Sequence, residues 1–248
     1  MTLPENKLML FSFNSILLTQ SLSTQINGEL GLYNAREFPD GESYLCITSK
    51  VKNRHCLVVA DLSHPNSKFL PLLFLLDTLK ELGAKSVGLV APYLSYMRQD
   101  RRFIEGEAIT SKIFAQSLSR HINYLVTIDP HLHRYHSLDE IYTIPNKVVQ
   151  GAPALAQWLK NESDLFLVGP DVESKQWITS IANVSGHPFV IGEKIRTGDR
   201  EVNVTLPDLS AYAGLTAVII DDVIASGHTI LRCIDALKQQ NINNINNI

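Results

Sequence analysis

Short apolar runs rich in β-branched residues alternate along the chain with stretches whose apolar residues recur every three or four positions. The runs at 7–11, 44–48, 56–61, 86–92, 124–129, 165–170, 188–192 and 217–222 predict strands. Between them, 67–82, 110–121, 152–161, 174–184 and 229–239 predict helices. The helical period is clearest where Leu72, Leu75, Leu76, Leu79 and Leu82 make one apolar stripe. Strands alternating with helices predict an α/β protein built from mainly parallel sheets flanked by helices. Residues 145–153, bounded by two prolines, predict a boundary, dividing the chain into 1–148 and 149–248. Both parts repeat a strand, an aspartate, a loop and a helix, the pattern of a duplicated domain. After 239 this architecture calls for another strand, but 241–248 reads NINNINNI, a low-complexity segment without strand logic. The second domain is therefore expected to be incomplete.

Composition narrows what such a fold does. The 248 residues are 45% hydrophobic and 19% charged, which suits large buried cores and excludes a disordered chain. Twenty-two basic against twenty-five acidic side chains leave a formal charge of −3, which argues against a generally basic binder of nucleic acid or membrane surfaces. The longest apolar stretch, 69–76, falls far short of the roughly 20 residues that span a bilayer. No signal peptide is read in the first residues, where Glu5 and Lys7 interrupt the apolar positions. Cys46, Cys56 and Cys233 show no CxxC spacing, and Cys46 and Cys56, in strand-like runs, are expected as buried free thiols. A cytoplasmic enzyme or binding protein fits these features.

In parallel α/β folds ligands gather beyond the carboxyl ends of the strands. Polar segments stand there at 63–66, 96–102, 129–134, 171–174 and 221–229. In VIIDDVIASGHTI (218–230) an apolar strand delivers Asp221 and Asp222 into a small-residue turn that opens a helix. Backbone N–H groups of such a turn, with the hydroxyls of Ser226 and Thr229, form an anion cradle, and the two carboxylates can accept hydrogen bonds from vicinal sugar hydroxyls. The plainer reading is a strand end followed by a capped helix. Arg98, Arg101 and Arg102 can clamp a triphosphate through bidentate bonds, or form a solvated basic loop. Asp129 and His131 suit half of a Mg²⁺ shell completed by water and phosphate oxygens, although a lone histidine is more often structural. His133 and His136 lack zinc spacing and read as surface residues. Lys194 and Arg196, in a polar loop with Gly198, can bring positive charge to a transferring phosphorus, or belong to a charged hairpin completed by EVNVTLP (201–207).

These segments resemble, in order and over nearly the whole chain, the ribose-phosphate pyrophosphokinase family, whose fold is of the phosphoribosyltransferase type. REFPDGES (36–43) is similar to the family's adenine-side loop, which implies ATP contacts by Phe38, Asp40 and Glu42. APYLSYMRQDRR (91–102) resembles its specific PY..Y.RQDR signature, implying ATP contacts by Arg98, Gln99, Asp100 and Arg101. IDPHLH (128–133) resembles the segment that binds the metal of Mg-ATP through Asp129 and His131, and GPD (169–171) adds Asp171 to the implied metal set. EKIRTGDREV (193–202) resembles a catalytic flexible loop, with Lys194 and Arg196 as its catalytic pair. The phosphoribosyl motif implies that Asp221 and Asp222 hold the ribose hydroxyls and that Ala225, Ser226, Gly227, His228 and Thr229 hold the 5-phosphate.

The resemblance implies two phosphoribosyltransferase-like domains, with the ATP loops in 1–148 and the ribose 5-phosphate loop in 149–248. The implied reaction uses Mg²⁺ and moves the β,γ-diphosphoryl group of ATP to the anomeric hydroxyl of ribose 5-phosphate, giving 5-phosphoribosyl 1-diphosphate and AMP. A homo-oligomer, dimer or hexamer, follows too, because the Phe38 loop commonly serves a neighbouring subunit's ATP site; neither nucleic acid nor membrane is implied as a partner. The chain departs from the family pattern at Pro130, at Val172, Glu173 and Ser174 where paired glycines are common, and at Ala225 and His228. Its short C-terminus motivates one rival, a synthetase-associated regulatory subunit with little or no catalysis. A transferase that consumes the diphosphate would share the ribose loop, but would have no use for the RQDR or FPDGE segments.

Overall fold

In the computed structural model the described residues are 8–197, 201–221, 224 and 226–247. They divide into two compact units, one ending at Val149 and the other beginning at Gln150. In the first unit β1 (Leu8–Ser12), α1 (Ile16–Gln25), β2 (Glu29–Leu30), β3 (Tyr33–Glu37), β4 (Ser43–Ile47), β5 (His55–Val59), α2 (Phe69–Glu81), β6 (Ser86–Ala91), α3 (Thr110–His121), β7 (Tyr124–Ile128) and β8 (Asn146–Val149) follow one another. Six of these strands make a sheet ordered β2-β1-β5-β6-β7-β8, parallel at every pairing. β3 and β4 form a separate antiparallel hairpin.

The central strands are near-continuous apolar runs because both faces are covered. Cys56, Val58 and Val59 of β5 are fully buried, as are Val87 and Leu89 of β6. Helix α2 lays the expected stripe on this sheet, with Leu72, Leu75, Leu76 and Leu79 completely buried. Burial of that kind stabilises by about 1.5–3 kcal/mol per leucine. The stripe ends one turn earlier than its period suggests: Leu82 closes the helix and is 47% exposed.

Several elements run against their sequence pattern. Helix α1 buries Thr19 and Ser23 while exposing Ile16, Leu17 and Leu18, the reverse of an apolar stripe. The inward hydroxyls are satisfied locally: Thr19 Oγ1 donates to the Ser15 carbonyl at 2.8 Å and Ser23 Oγ to the Gly28 carbonyl at 2.7 Å. The expected boundary at 145–153 holds strand β8. Cys46, expected buried, is exposed, because it belongs to the β3–β4 hairpin outside the main sheet; Cys56 and Cys233 are buried.

The second unit contains α4 (Ala152–Leu159), β9 (Leu165–Gly169), α5 (Lys175–Ser185), β10 (Phe189–Ile191), β11 (Glu193–Thr197), β12 (Glu201–Thr205), β13 (Thr216–Ile219), α6 (His228–Gln239) and β14 (Ile245–Asn247). Four strands make a parallel sheet ordered β10-β9-β13-β14, and β11 and β12 pair as an antiparallel hairpin. The expectation of no strand after α6 is overturned. Ile245 to Asn247 pair with Ala217 to Ile219, while Ile242 is 4% exposed in the core. The open edge of β13 gives this segment its conformation; its own sequence carries no strand period.

Candidate active site

In the first unit, β5, β6 and β7 each run into a polar segment at the carboxyl end. Each segment holds one non-glycine residue in the left-handed region: His64 (φ 49°), Tyr96 (φ 61°) and Asp129 (φ 35°). Among the described residues, every other non-glycine residue with positive φ is Asn or Asp, types that tolerate it. His64 and Tyr96 carry a backbone cost of about 1–2 kcal/mol each, which neighbouring contacts must offset.

Those contacts form a lattice across the strand ends. Asn14 Nδ2 donates to the Asp61 carbonyl at 2.8 Å, and the Asp61 N–H returns a bond to Asn14 Oδ1 at 2.7 Å. The Asp61 carboxylate accepts from the Ser63 N–H at 2.9 Å, from Ser63 Oγ at 2.5 Å and from Lys68 Nζ at 3.2 Å. Partial burial would raise the Asp61 pKa, but the Ser63 bonds and Lys68 outweigh it and hold the carboxyl below its ordinary value. Tyr96 Oη donates to Asn66 Oδ1, and its ring packs on Phe114 with centroids 4.9 Å apart.

The REFPDGES segment is the tip of the β3–β4 hairpin. The Phe38 N–H donates to the Glu42 carbonyl at 2.7 Å, the Gly41 N–H to the Phe38 carbonyl at 2.9 Å, and the Glu42 N–H to Asp40 Oδ1 at 3.2 Å. Asp40 thus shapes the turn. The Phe38 ring, 39% exposed, meets Tyr44 edge-on at 6.1 Å, and the Arg36 guanidinium lies 4.4 Å from the Phe38 centroid and 4.5 Å from that of Tyr44. A half-exposed aromatic ring backed by a cation is a surface on which a base can stack.

The arginine segment follows β6. Arg98, Arg101 and Arg102 are exposed and Gln99 is half-buried. Arg102 Nε donates to the Glu107 carbonyl at 2.7 Å, which turns it back on its own loop. Asp100, implied as an ATP contact, has its side chain turned inward. Its side chain is 1% exposed and receives Arg134 Nη1 at 2.8 and 3.1 Å. An anionic side chain engaged in this way shapes its loop. Asp129 and His131 follow β7 and are half-buried; the His131 ring stacks on His133 with centroids 6.0 Å apart. His133 and His136 are exposed, as expected. Among the described residues no three His, Cys, Asp or Glu side chains gather into a group that holds a metal by itself. A carboxylate and an imidazole two residues apart fit a magnesium ion whose remaining ligands are phosphate oxygens and water.

In the second unit, β13 carries the chain through buried Ile219 and Ile220 to half-buried Asp221. Gly227 caps α6 at φ 74°, a conformation a β-branched residue avoids, and its carbonyl accepts the Leu231 N–H at 2.8 Å. No acidic side chain stands in the first turn of α6, so the positive helix end is not neutralised by its own residues. Ser226 and His228 are exposed and Thr229 half-buried around it. One turn further in, burial and the nearby Asp221 carboxylate push the Cys233 thiol up to about 12. Asp222 and Ala225 lie outside the described residues.

Asp171, implied as a metal ligand, is engaged in capping. Its Oδ1 accepts the Ser174 N–H at 3.3 Å, and its carbonyl accepts Ser174 Oγ at 2.6 Å. Gly169 leaves the room for buried Ser174, since a Cβ there would collide with Ser174 Oγ. The Lys194 and Arg196 backbones belong to β11, in register with Val204 and Val202 of β12, while their side chains lie outside the described structure. The expected flexible loop thus includes a paired hairpin. Arg134, Tyr135, Ser111 and Asn14, which link the site segments, were missed by sequence reasoning; the only signal is that Arg134 stands three residues after His131.

Residues 8–121 match the N-terminal domain of ribose phosphate pyrophosphokinase, and residues 137–246 match the phosphoribosyl transferase domain. The ribose-phosphate pyrophosphokinase of Saccharolobus solfataricus is 34% identical over 87% of this chain and 74% of its own length. Ribose-phosphate pyrophosphokinase 1 of Streptococcus pneumoniae is 30% identical over 96% of this chain and 75% of its own. The crystal structure of phosphoribosylpyrophosphate synthetase from Mycobacterium smegmatis shares the fold, with a TM-score of 0.79 and 21% identity over 97% of this chain and 79% of that one. Since both units match the family's domains and the relatives align over about three quarters of their length, the chain belongs to the ribose-phosphate pyrophosphokinase family.

Proposed function

We propose that this chain transfers the β,γ-diphosphoryl group of Mg-ATP to ribose 5-phosphate. Two observations carry the reading: exposed arginines beyond β6 in one unit, and in the other a helix N-terminus beyond β13 whose own first turn holds no acidic side chain. On this reading the unit ending at Val149 is the nucleotide domain. The Phe38 ring stacks adenine, and Asp40 and Glu42 of the same hairpin tip contact the nucleotide. Arg98, Gln99, Arg101 and His131 engage the triphosphate, and Asp129 and His131 take the magnesium that ATP brings. The unit from Gln150 is the sugar domain: Asp221 and Asp222 accept the ribose hydroxyls, while Ala225 to Thr229 cradle the 5-phosphate.

The anomeric oxygen attacks the β-phosphorus, the bond from that phosphorus to the α-phosphate oxygen breaks, AMP leaves with that oxygen and its electron pair, and the attacking hydroxyl releases its proton to water. Little covalent chemistry falls to the protein; orientation and charge carry the rate. Lys194 and Arg196 stabilise the charge that develops on the transferred group and the leaving oxygen. Because the relatives are named as the enzyme, the regulatory reading is not favoured. We further propose a cytoplasmic homo-oligomer; no helix among the described residues is long and apolar enough to cross a membrane.

The test is ³¹P NMR of the purified chain with ATP, Mg²⁺ and ribose 5-phosphate. Equimolar AMP and a sugar diphosphate are expected, and omission of Mg²⁺ should abolish both. ADP in place of AMP would refute the diphosphoryl step. Lys194→Ala should lower kcat far more than it raises either KM, whereas Asp222→Asn should mainly raise the KM for ribose 5-phosphate; negligible effects of both would remove these assignments.

A further inference from the structure

The arginine segment after β6 and the Asp129 segment after β7 are fastened to each other by residues with no role in the reading above. Arg134 Nη1 donates to both carboxylate oxygens of Asp100, at 2.8 and 3.1 Å, and the Asp100 side chain is 1% exposed against 32% for Arg134. Tyr135 Oη donates to the Asp100 carbonyl at 3.1 Å. With its one proton committed there, Tyr135 accepts the hydroxyl of Ser111, 3.0 Å away. Ser111 is fully buried, and its N–H donates to the Gln99 carbonyl at 3.3 Å. The consecutive main-chain carbonyls of Gln99 and Asp100, set between Arg98 and Arg101, are therefore both held. A second link runs through Phe103, whose ring centroid lies 4.5 Å from the Arg101 guanidinium and 5.2 Å from that of Arg134.

A buried carboxylate is costly unless its charge and hydrogen bonds are met, so Asp100 ties its loop to whatever carries Arg134. What carries Arg134 is the segment bearing Asp129 and His131. We propose that Arg134 and Tyr135 are positioning residues that set the spacing between the phosphate-facing arginines and the magnesium-facing pair. This rests on the proposed nucleotide role of those segments. The clasp acts on ATP and not on the sugar phosphate, since every residue in it belongs to the first unit.

The wild-type chain is assayed first, for turnover and for Mg-ATP binding by calorimetry. With an active wild type, Arg134→Ala should raise the KM for Mg-ATP about tenfold or more and leave that for ribose 5-phosphate within about twofold. Arg134→Lys should recover part of the loss, because it keeps the charge but not the fork. Tyr135→Phe, which removes one donor and should fold in any case, should raise the KM for Mg-ATP about threefold. Adding Asp100→Asn to Arg134→Ala should cost little more than either alone. An unchanged KM for Mg-ATP in the folded variants, or equal rises for both substrates, would overturn the proposal even if the melting temperature falls. A wild type with neither turnover nor Mg-ATP binding would instead defeat the functional reading. The clasp is then judged by hydrogen exchange at the Ser111 amide, which donates to the Gln99 carbonyl: lost protection in Tyr135→Phe and Arg134→Lys supports it, and unchanged protection refutes it.

Discussion

The two units share one architecture and present charge to a ligand in different ways. On the proposed reading, long side chains do the work in the first: arginines beyond β6, a carboxylate and an imidazole beyond β7, and an aromatic ring on a hairpin tip. The segments after β6 and β7 are fastened to each other by side-chain bonds among Asp100, Ser111, Arg134 and Tyr135. In the second, the α6 end relies on backbone, with Gly227 at positive φ and a first turn without acids. A triphosphate carrying a metal spreads its charge over several ångströms and needs cations at several points. A single terminal phosphate fits within one helix turn, where backbone N–H groups suffice.

The sharpest way to break this comparison is backbone geometry. Gly227→Val should raise the KM for ribose 5-phosphate by about 100-fold and leave that for Mg-ATP within about twofold, because valine resists this φ although the space around it is open. Initial-rate measurements with each substrate varied would show it; comparable loss for both substrates would mean that the backbone site is not specific to the sugar phosphate. The reciprocal change is Arg101→Ala, expected to raise the KM for Mg-ATP about tenfold, with Arg101→Lys intermediate because a lysine lacks the bidentate fork.

Smaller effects probe the supporting lattice. The Asp61 carboxylate is 44% exposed, so Asp61→Asn should lower stability at neutral pH by only about 0–1 kcal/mol. Its folded pKa lies below the ordinary 3.8, so the native state binds fewer protons there than the unfolded chain. The contribution is complete above the ordinary value and disappears as pH falls through the lowered one. Melting temperatures of wild type and variant should therefore differ most at neutral pH and converge in acid. The mildest test uses thiols. Burial pushes the Cys56 thiol up to about 11, and burial with Asp221 pushes Cys233 to about 12, so both stay protonated at pH 8. A soluble disulfide reagent should modify Cys46 promptly and reach the other two only on unfolding.

Much of the fold was legible because buried parallel strands need uninterrupted apolar runs, and the stripe Leu72 to Leu79 has the helical period. The polar segments after β5, β6, β7, β9 and β13 were legible for the same reason: strands of this kind leave their chemistry to the residues that follow them. Helix α1 escaped because it turns Thr19 and Ser23 inward, satisfied by local carbonyls that no hydrophobicity pattern records. Cys46 was misjudged because an apolar run does not tell a central strand from a hairpin. The partner of Asp100 was not legible, because the RQDR segment names a carboxylate but not the direction in which it points.

The sequence by itself determined the α/β class, the family, and which segments carry the chemistry, since those rest on local period and on residue types in order. Only the tertiary structure decided that NINNINNI supplies a strand, that Asp171 caps a turn, and that Arg134 grips Asp100. Each depends on a partner distant along the chain or on the direction of a side chain. Such contacts arise when loops from neighbouring strands are brought side by side, and no local pattern encodes them.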